Sequence, residues 1–181
     1  GCSNCIQKKA YPTSLVFDNS KKNYENKKSL FCGVEKMTII TPSKWLKNQV
    51  EQSFLKEYKV IVVNNKIDED VFKPTASDFR QKNGLENKII VLGVASAWGK
   101  RKGLDDFIKL SQILDSRYKI VLVGLTGEQI KKIPENIFCI ERTNSKKELA
   151  EIYTSADVFL NLTYEDTYPT VNLESQACGT P

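Results

Sequence analysis

The reading of the fold turns on residues 89–124. They run Ile89-Ile-Val-Leu-Gly93, then Val94-Ala-Ser-Ala-Trp-Gly-Lys-Arg-Lys-Gly103, and later Tyr118-Lys-Ile-Val-Leu-Val-Gly124. The two flanking runs are continuously apolar and rich in β-branched residues, as strands buried on both faces are. Between them, Lys102 to Leu114 reads as an amphipathic helix. Two buried strands joined through a helix make the βαβ unit of a parallel sheet.

The alternation continues toward the C-terminus. Gly127–Lys132 reads as a short helix and Ile137–Ile140 as a strand. Ser145–Tyr153 reads as a helix opened by a Ser145-x-x-Glu148 capping box. Asp157–Leu160 is the next strand and Thr170–Cys178 the next helix. Toward the N-terminus, Lys73-Pro-Thr-Ala-Ser77 has the composition of a linker. Before it lie a strand at Val60–Val63, closed by the turn signal Asn64-Asn65, and a helix at Lys44–Lys56. Thr41-Pro-Ser43 introduces that helix, in which Trp45, Val50 and Phe54 recur at roughly helical spacing. A short strand at Met37–Ile40 comes first. Residues 1–36 are polar and Lys-rich, with no sustained period. The expected class is α/β, with parallel Rossmann-type sheets flanked by helices.

Composition narrows the chemistry. The chain has 181 residues, 40% hydrophobic and 27% charged, which is enough to bury a core. Nine Gly, six Pro and five Cys exclude collagen-like and disulfide-scaffold classes. No apolar run approaches the roughly 18 residues of a membrane span. The net charge of +5 arises before residue 81, where 14 Lys/Arg meet 9 Asp/Glu; the remainder balances at 13 each. Phosphates, acidic partners or an anionic membrane surface suit that excess without being required by it. There is no His, so these residues contain no Ser-His-Asp triad, Cys-His dyad or His-ligated metal. Gly1-Cys-Ser-Asn-Cys5 shows neither an initiator Met nor a signal peptide, and the chain stops at Ala177-Cys-Gly-Thr-Pro181. Both ends read as cut, the expectation for an internal fragment of a longer protein.

Three strand ends carry suggestive residues, and open α/β sheets bind ligands beyond the carboxyl ends of their strands. After Gly93, Arg101 and Lys102 fall at the start of a helix, where free amides already favour an anion. A solvated basic cluster beside a Gly turn is the plainer alternative. After Leu160 come Asp166 and, inside the next helix, Glu174. Carboxylates accept hydrogen bonds and diols donate them, so this pair suits sugar and ribose hydroxyls. On spacing alone, acidic residues that merely favour the helix dipole explain them as well. Thr170, Val171 and Asn172 offer backbone amides to a diphosphate at the same helix start. After Ile140, Arg142-Thr143-Asn144 places Thr143 where a base could stack or hydrogen-bond, or where a loop simply caps a helix. Cys2-x-x-Cys5 has metal-knuckle or redox spacing, but Cys32, Cys139 and Cys178 supply no matching pair; zinc there would need ligands upstream of the fragment, and no metal site is assigned. Cys178 reads as a small buried helix-end residue. Gly124-Leu-Thr-Gly127 lacks the Gly-x4-Gly-Lys-Ser/Thr of a phosphate-binding loop.

Together the motifs resemble a known family. They are Thr41-Pro-Ser-Lys-Trp-Leu46, Asn64-Asn-Lys-Ile-Asp68 with Val71-Phe-Lys-Pro74, Arg101-Lys-Gly103, Glu148-Leu-Ala-x-Ile-Tyr153, Ala156-Asp-Val-Phe159, and Asp166-x7-Glu174 with Ala177-Cys-Gly-Thr-Pro181. In that order and spacing they resemble the family 4 retaining glycosyltransferases of the GT-B fold, in the wording of bacterial polysaccharide-building enzymes. The resemblance implies two Rossmann-like domains. Residues 1–74 would end the acceptor-side domain, and residues 75–181 would begin the nucleotide-sugar-binding domain, so the fold would be incomplete at both ends.

By the same resemblance, Lys102, with Arg101 beside it, neutralises the diphosphate of the sugar donor. Asp166 takes the first place of the family's Glu-x7-Glu motif, facing the sugar, and Glu174 takes the second, holding the ribose. Thr170 and Val171 fall in the loop whose amides approach sugar and phosphates. Asp166 is shorter than the usual Glu, Thr167-Tyr-Pro-Thr170 replaces a Gly-containing loop, and Val94–Trp98 replaces the usual Gly-Arg-Leu. Lys66 stands where the family has Gly; a positive φ there would cost about 1 kcal/mol. The implied reaction moves a sugar from a nucleoside diphosphate to an acceptor hydroxyl with retention, without a protein nucleophile or a required metal. The implied acceptor is a glycan or a lipid-linked acceptor, and the implied location is cytoplasmic, with peripheral contact at the inner face of the cell membrane left open. A truncated, non-catalytic nucleotide-binding module and a GT-B sugar-nucleotide epimerase are the alternatives. Nucleic acid is not an expected partner, because no recognition motif accompanies Lys21–Lys28. That cluster suits anionic headgroups; a solvated face is the plainer reading, under which serines at Lys21, Lys22, Lys27 and Lys28 leave liposome binding unchanged.

Overall fold

A computed structural model describes residues 18–181, and Cys2 and Cys5 lie outside it. The chain divides into two compact units between Asn64 and Asn65.

The described part of the first unit begins with α1 (Ser20–Phe31), a helix that the sequence reading did not anticipate. It buries no residue and has no apolar stripe, which is why periodicity missed it. Tyr24 meets Phe54 edge-on with ring centroids 5.2 Å apart, and the Tyr58 hydroxyl donates to the Phe31 carbonyl (2.7 Å). Next come β1 (Thr38–Thr41), α2 (Lys44–Glu51) and β2 (Lys59–Val62). The strands pair in parallel from Thr38–Lys59 to Thr41–Val62. The Ser43 hydroxyl caps α2 by accepting from the Leu46 amide at 3.2 Å. The helix ends at Glu51, short of Lys56, and Phe54 falls in the turns that follow.

The second unit contains α3 (Phe79–Lys82), β3 (Ile89–Val94), a 3-10 turn (Lys100–Lys102), α4 (Leu104–Ile113), β4 (Tyr118–Val123), α5 (Gly127–Ile130), β5 (Ile137–Ile140), α6 (Lys146–Ser155), β6 (Val158–Phe159) and α7 (Thr170–Ala177). The four strands are parallel in the order β5-β4-β3-β6. Strand alternation sends Ile90, Leu92, Val121 and Val123 to one face, against Phe72, Ile152 and Tyr153. It sends Val91, Ile120, Leu122 and Ile137 to the other, against Trp98, Phe107 and Leu125. Each such side chain contributes about 1.5–3 kcal/mol by leaving water. Gly93 lets Phe107 lie on the sheet, since a Cβ there would stand 2.7 Å from the Phe107 ring.

Of the expectations that differ in detail, three concern a turn, a linker and a cap. The helix expected from Lys102 starts at Leu104, because Gly103 adopts a left-handed φ of 72° and separates it from the 3-10 turn. The segment 73–77 is packed rather than free: the Thr75 amide donates to Thr154 Oγ1 (3.2 Å), Ser77 Oγ bonds Ser155 Oγ (2.9 Å), and Phe72 just before it is buried. Only half of the Ser145 capping box forms. Ser145 Oγ accepts from the Glu148 amide, while the Glu148 carboxylate reaches the Asn144 amide at 2.6 Å. The reciprocal box lies instead at Thr126 and Gln129.

Candidate functional site

Strand order locates the site. From β3 the chain moves outward to β4 and β5, then returns to place β6 on the other flank of β3. The loops leaving β3 and β6 therefore part at a topological switch point, where open α/β sheets form their ligand crevice.

The loop after β3 is held firmly. Trp98 is buried, its indole N–H donates to the Val123 carbonyl (2.8 Å), and its own carbonyl accepts from Gln129 Nε2 (3.0 Å). This delivers Lys100–Lys102 to the crevice. A Cβ at Gly103 would collide with the carbonyl oxygen of Leu162, so only glycine lets the turn lie against the loop after β6. Across that contact Lys102 Nζ donates to Asp166 Oδ2 at 2.6 Å, with only 19% and 22% of the two side chains exposed. Burial pushes the Asp166 carboxyl up. The Lys102 ammonium and the Thr167 and Tyr168 amides outweigh it and hold the group below the ordinary Asp range. Arg101 joins the same contact: its Nη1 donates to the Glu165 carbonyl (3.0 Å), while its carbonyl accepts from the Tyr164 amide (2.9 Å) and from Thr163 Oγ1 (3.1 Å).

The helix α7 opens after Pro169 with no side-chain cap, which leaves the amides of Thr170, Val171 and Asn172 at an unsatisfied helix N-terminus. The Asn172 side chain is engaged by Asn161 Nδ2 at 2.8 Å. Glu174, one turn into the helix and half-buried, accepts a hydrogen bond from the fully buried Tyr153 (3.0 Å). Burial, and then the charge on Glu174, push the Tyr153 phenol far up, so it stays a donor. Thr143 lies after β5, the edge strand beyond β4, and makes no hydrogen bond with the other candidates. Neighbouring Asn144 is taken up by Glu148, as in a helix-capping loop. Cys178 is 2% exposed and its thiol is pushed up by burial, in keeping with a structural role.

Sequence reasoning paired Asp166 with Glu174; it held Tyr153 in a motif without giving it a role, and gave none to Asn161. The pair Tyr153–Glu174 spans two helices, so no spacing rule joins it. At the opposite edge of the sheet, a depression of about 420 Å3 includes Lys88, Asp115 and Asn136 in its lining. Its polar groups are already engaged, Lys88 Nζ with the Ser116 carbonyl (2.6 Å) and Asn136 Nδ2 with the Ser111 carbonyl (2.7 Å). The carboxyl edge is the better candidate.

The family model of glycosyl transferases group 1 matches residues 75–181, more than half of the chain. The chain belongs to that family. It is 27% identical over 168 residues to alpha-galactosylglucosyldiacylglycerol synthase of Streptococcus pneumoniae, covering 84% of this chain and 44% of that protein. The chain thus spans less than half the length of the curated relatives it matches. In structure it resembles sucrose-phosphate synthase of Thermosynechococcus elongatus (TM-score 0.71, 17% identity, 92% of this chain and 45% of the other). It also resembles Anabaena HepE, whose structure holds UDP-glucose (TM-score 0.67, 20% identity, 90% of this chain and 48% of the other). Parallel sheets flanked by helices, as in GT-B glycosyltransferases, are the fold this group 1 chain shares with them. No residue of the described chain adopts the left-handed region except glycine, so Lys66 carries none of the strain considered for it.

Proposed function

We propose that this group 1 chain carries the sugar-donor half of a retaining glycosyltransferase. The observation that carries the reading is the Lys102–Asp166 ion pair beside the uncapped start of α7, at the switch point of the sheet. In this reading Lys102 and Arg101 face the diphosphate and stabilise the charge that grows on it as the glycosidic bond breaks. The amides of Thr170 and Val171 take phosphate oxygens. Asp166, kept ionised by Lys102, accepts from sugar hydroxyls, and Glu174 accepts from the ribose. Thr143 borders the base. The leaving phosphate takes the acceptor proton, so no side chain acts as a nucleophile.

UDP-glucose is the proposed donor, because the HepE structure holds it in the same fold. The acceptor is proposed to be a hydroxyl of a cell-surface glycan or of a lipid-linked sugar; the names of the Streptococcus and Acholeplasma relatives refer to diacylglycerol lipids. Among the described residues no helix is long and apolar enough to cross a membrane. Contact with an anionic lipid surface would then fall to exposed residues such as Lys21, Lys22, Lys27 and Lys28 of α1.

The test is thermal stabilisation of the full-length protein by UDP, GDP, ADP and their sugars. At 100 times Kd a ligand adds about 2.7 kcal/mol. Stabilisation by one nucleotide, lost in Lys102→Ala and Glu174→Ala, is expected; no shift with any nucleotide would overturn the reading. Because lysine and arginine supply the positive charge, transfer is expected to continue at an unchanged rate in excess EDTA.

A further inference from the structure

Asp166 sits midway along a loop that is anchored on both sides. Upstream, Arg101 grips Thr163, Tyr164 and Glu165. Downstream, Asn65 Nδ2 donates to the Tyr168 carbonyl at 3.1 Å, across 103 residues of sequence. The Tyr168 amide faces Asp166 Oδ1 (3.4 Å), and the Thr167 amide donates to the same oxygen (2.8 Å). Tyr168 is therefore held at its N–H by the functional carboxylate and at its carbonyl by Asn65. We propose that Asn65 is a positioning residue for the sugar donor, fixing the Tyr168 carbonyl and through it the direction in which Asp166 faces. This inference rests on the donor-site reading given above.

Two features make the bond matter. First, no packed side chain stands in for it. Asn65, Ile67, Phe72, Tyr168 and Leu173 border a surface cavity of about 690 Å3, so the loop has solvent rather than core on this side. Second, the loop transmits displacement instead of absorbing it. Thr167-Tyr-Pro-Thr170 contains no glycine, and the ring of Pro169 fixes its own φ. The chain that follows Asn65 is tied down at Phe72, whose amide donates to the Asp68 carbonyl (2.8 Å) and whose ring is buried in the core. Asn65 is exposed, so its hydrogen bond adds little to folding, and its contribution is orientation.

The experiment titrates the full-length protein with UDP and with UDP-glucose by calorimetry. Asn65→Asp keeps the side-chain shape and replaces the N–H donor with an acceptor oxygen. It is expected to melt with the wild type, to bind UDP-glucose about 3- to 10-fold more weakly, and to bind UDP within about 2-fold of wild type. Asn65→Gln, which restores an amide donor beside open space, is expected to recover most of the difference. Asn64→Ala serves as control: that amide holds the Pro42 carbonyl (2.7 Å), so both affinities should be unchanged. Wild-type affinity for UDP-glucose in Asn65→Asp, or equal weakening of UDP and UDP-glucose, overturns the proposal while leaving the donor site standing. If the wild type binds no UDP, or Lys102→Ala binds it equally well, the donor-site reading fails and the proposal falls with it.

Discussion

Replacing Tyr153 by Phe removes one oxygen atom from the core and leaves a carboxylate without its buried donor. The ring keeps its edge-on neighbours, Phe72 at 6.2 Å and Phe159 at 5.7 Å, so no cavity of consequence opens. What is lost is a 3.0 Å hydrogen bond to a charged acceptor, a class worth about 1.5–3 kcal/mol. Glu174 is only half-buried and water can replace part of that bond, so the low end, about 1.5 kcal/mol, applies at pH 7. For a chain of this size that is roughly a 3–6 °C fall in Tm. The alkaline limb supplies the sign. Burial raises the folded-state value of the phenol above its ordinary one, so the neutral form is favoured on folding. The stability tied to that neutral form is complete below about pH 10 and is lost as pH rises, because the unfolded chain releases the proton first. One such group removes about 1.4 kcal/mol per pH unit, so near pH 11 the wild type should have lost its advantage over Tyr153→Phe. Urea unfolding of both proteins at pH 7 and pH 11 measures this. A gap that is absent at pH 7, or that stays constant to pH 11, would refute the assignment of Tyr153 as a neutral donor to Glu174.

Other substitutions probe the surrounding framework. Gly103→Ala meets both a φ of 72° and the Leu162 backbone, and should cost more than about 2 kcal/mol in a denaturant titration. Gly33→Ala, with φ 91° and no atom within 4 Å of the new methyl, should cost only about 1 kcal/mol. The Asp166 carboxyl is held below its ordinary value, so the stability it brings is present above about pH 4 and lost as pH falls. Acid melts should show the wild type converging on Asp166→Asn there. Arg80→Ala gives up bonds to the Ser155 and Lys88 carbonyls (2.9 Å each) and to Asp157 (2.6 Å). It should destabilise by about 2–3 kcal/mol while leaving UDP affinity at low temperature intact.

Strands and helices with a buried face were legible in the sequence because burial leaves a periodic trace. The run Ile137–Ile140 matches β5 residue for residue. Elements stabilised by other means left no such trace. The helix α1 buries no residue, and the four-residue α3 is too short to show a period. Gly103 shows how one backbone angle moves a boundary: the amphipathic pattern extends back to Lys102, yet the left-handed residue breaks the helix and turns the basic side chains toward the loop after β6. For the site, motif order brought Lys102, Asp166 and Glu174 into one expectation. Tyr153 and Asn65 lay inside recognisable motifs, but what they and Asn161 touch is set by single hydrogen bonds to distant partners, and a lone sequence carries no signature for those.

The site's geometry depends on a strand only two residues long. Lys102 and Asp166 are 64 positions apart, and they meet because Val158 and Phe159 pair with Val91 and Leu92. So brief a ladder needs support at both ends, and the structure provides it. Below the strand, Asp157 accepts from the Ile90 amide (2.7 Å) and from Arg80 (2.6 Å), locking the register at the edge remote from the site. Above it, the Leu160 amide donates to the Leu92 carbonyl (2.8 Å), and on the outer side the Phe159 amide donates to the Pro181 carbonyl (2.7 Å). A one-residue slip of β6 would turn every side chain to the other face and shift the loop that carries Asp166. The ion pair that defines the candidate site is therefore a consequence of register. Arg80 guards that register from the far end of the strand, remote from the Lys102–Asp166 pair.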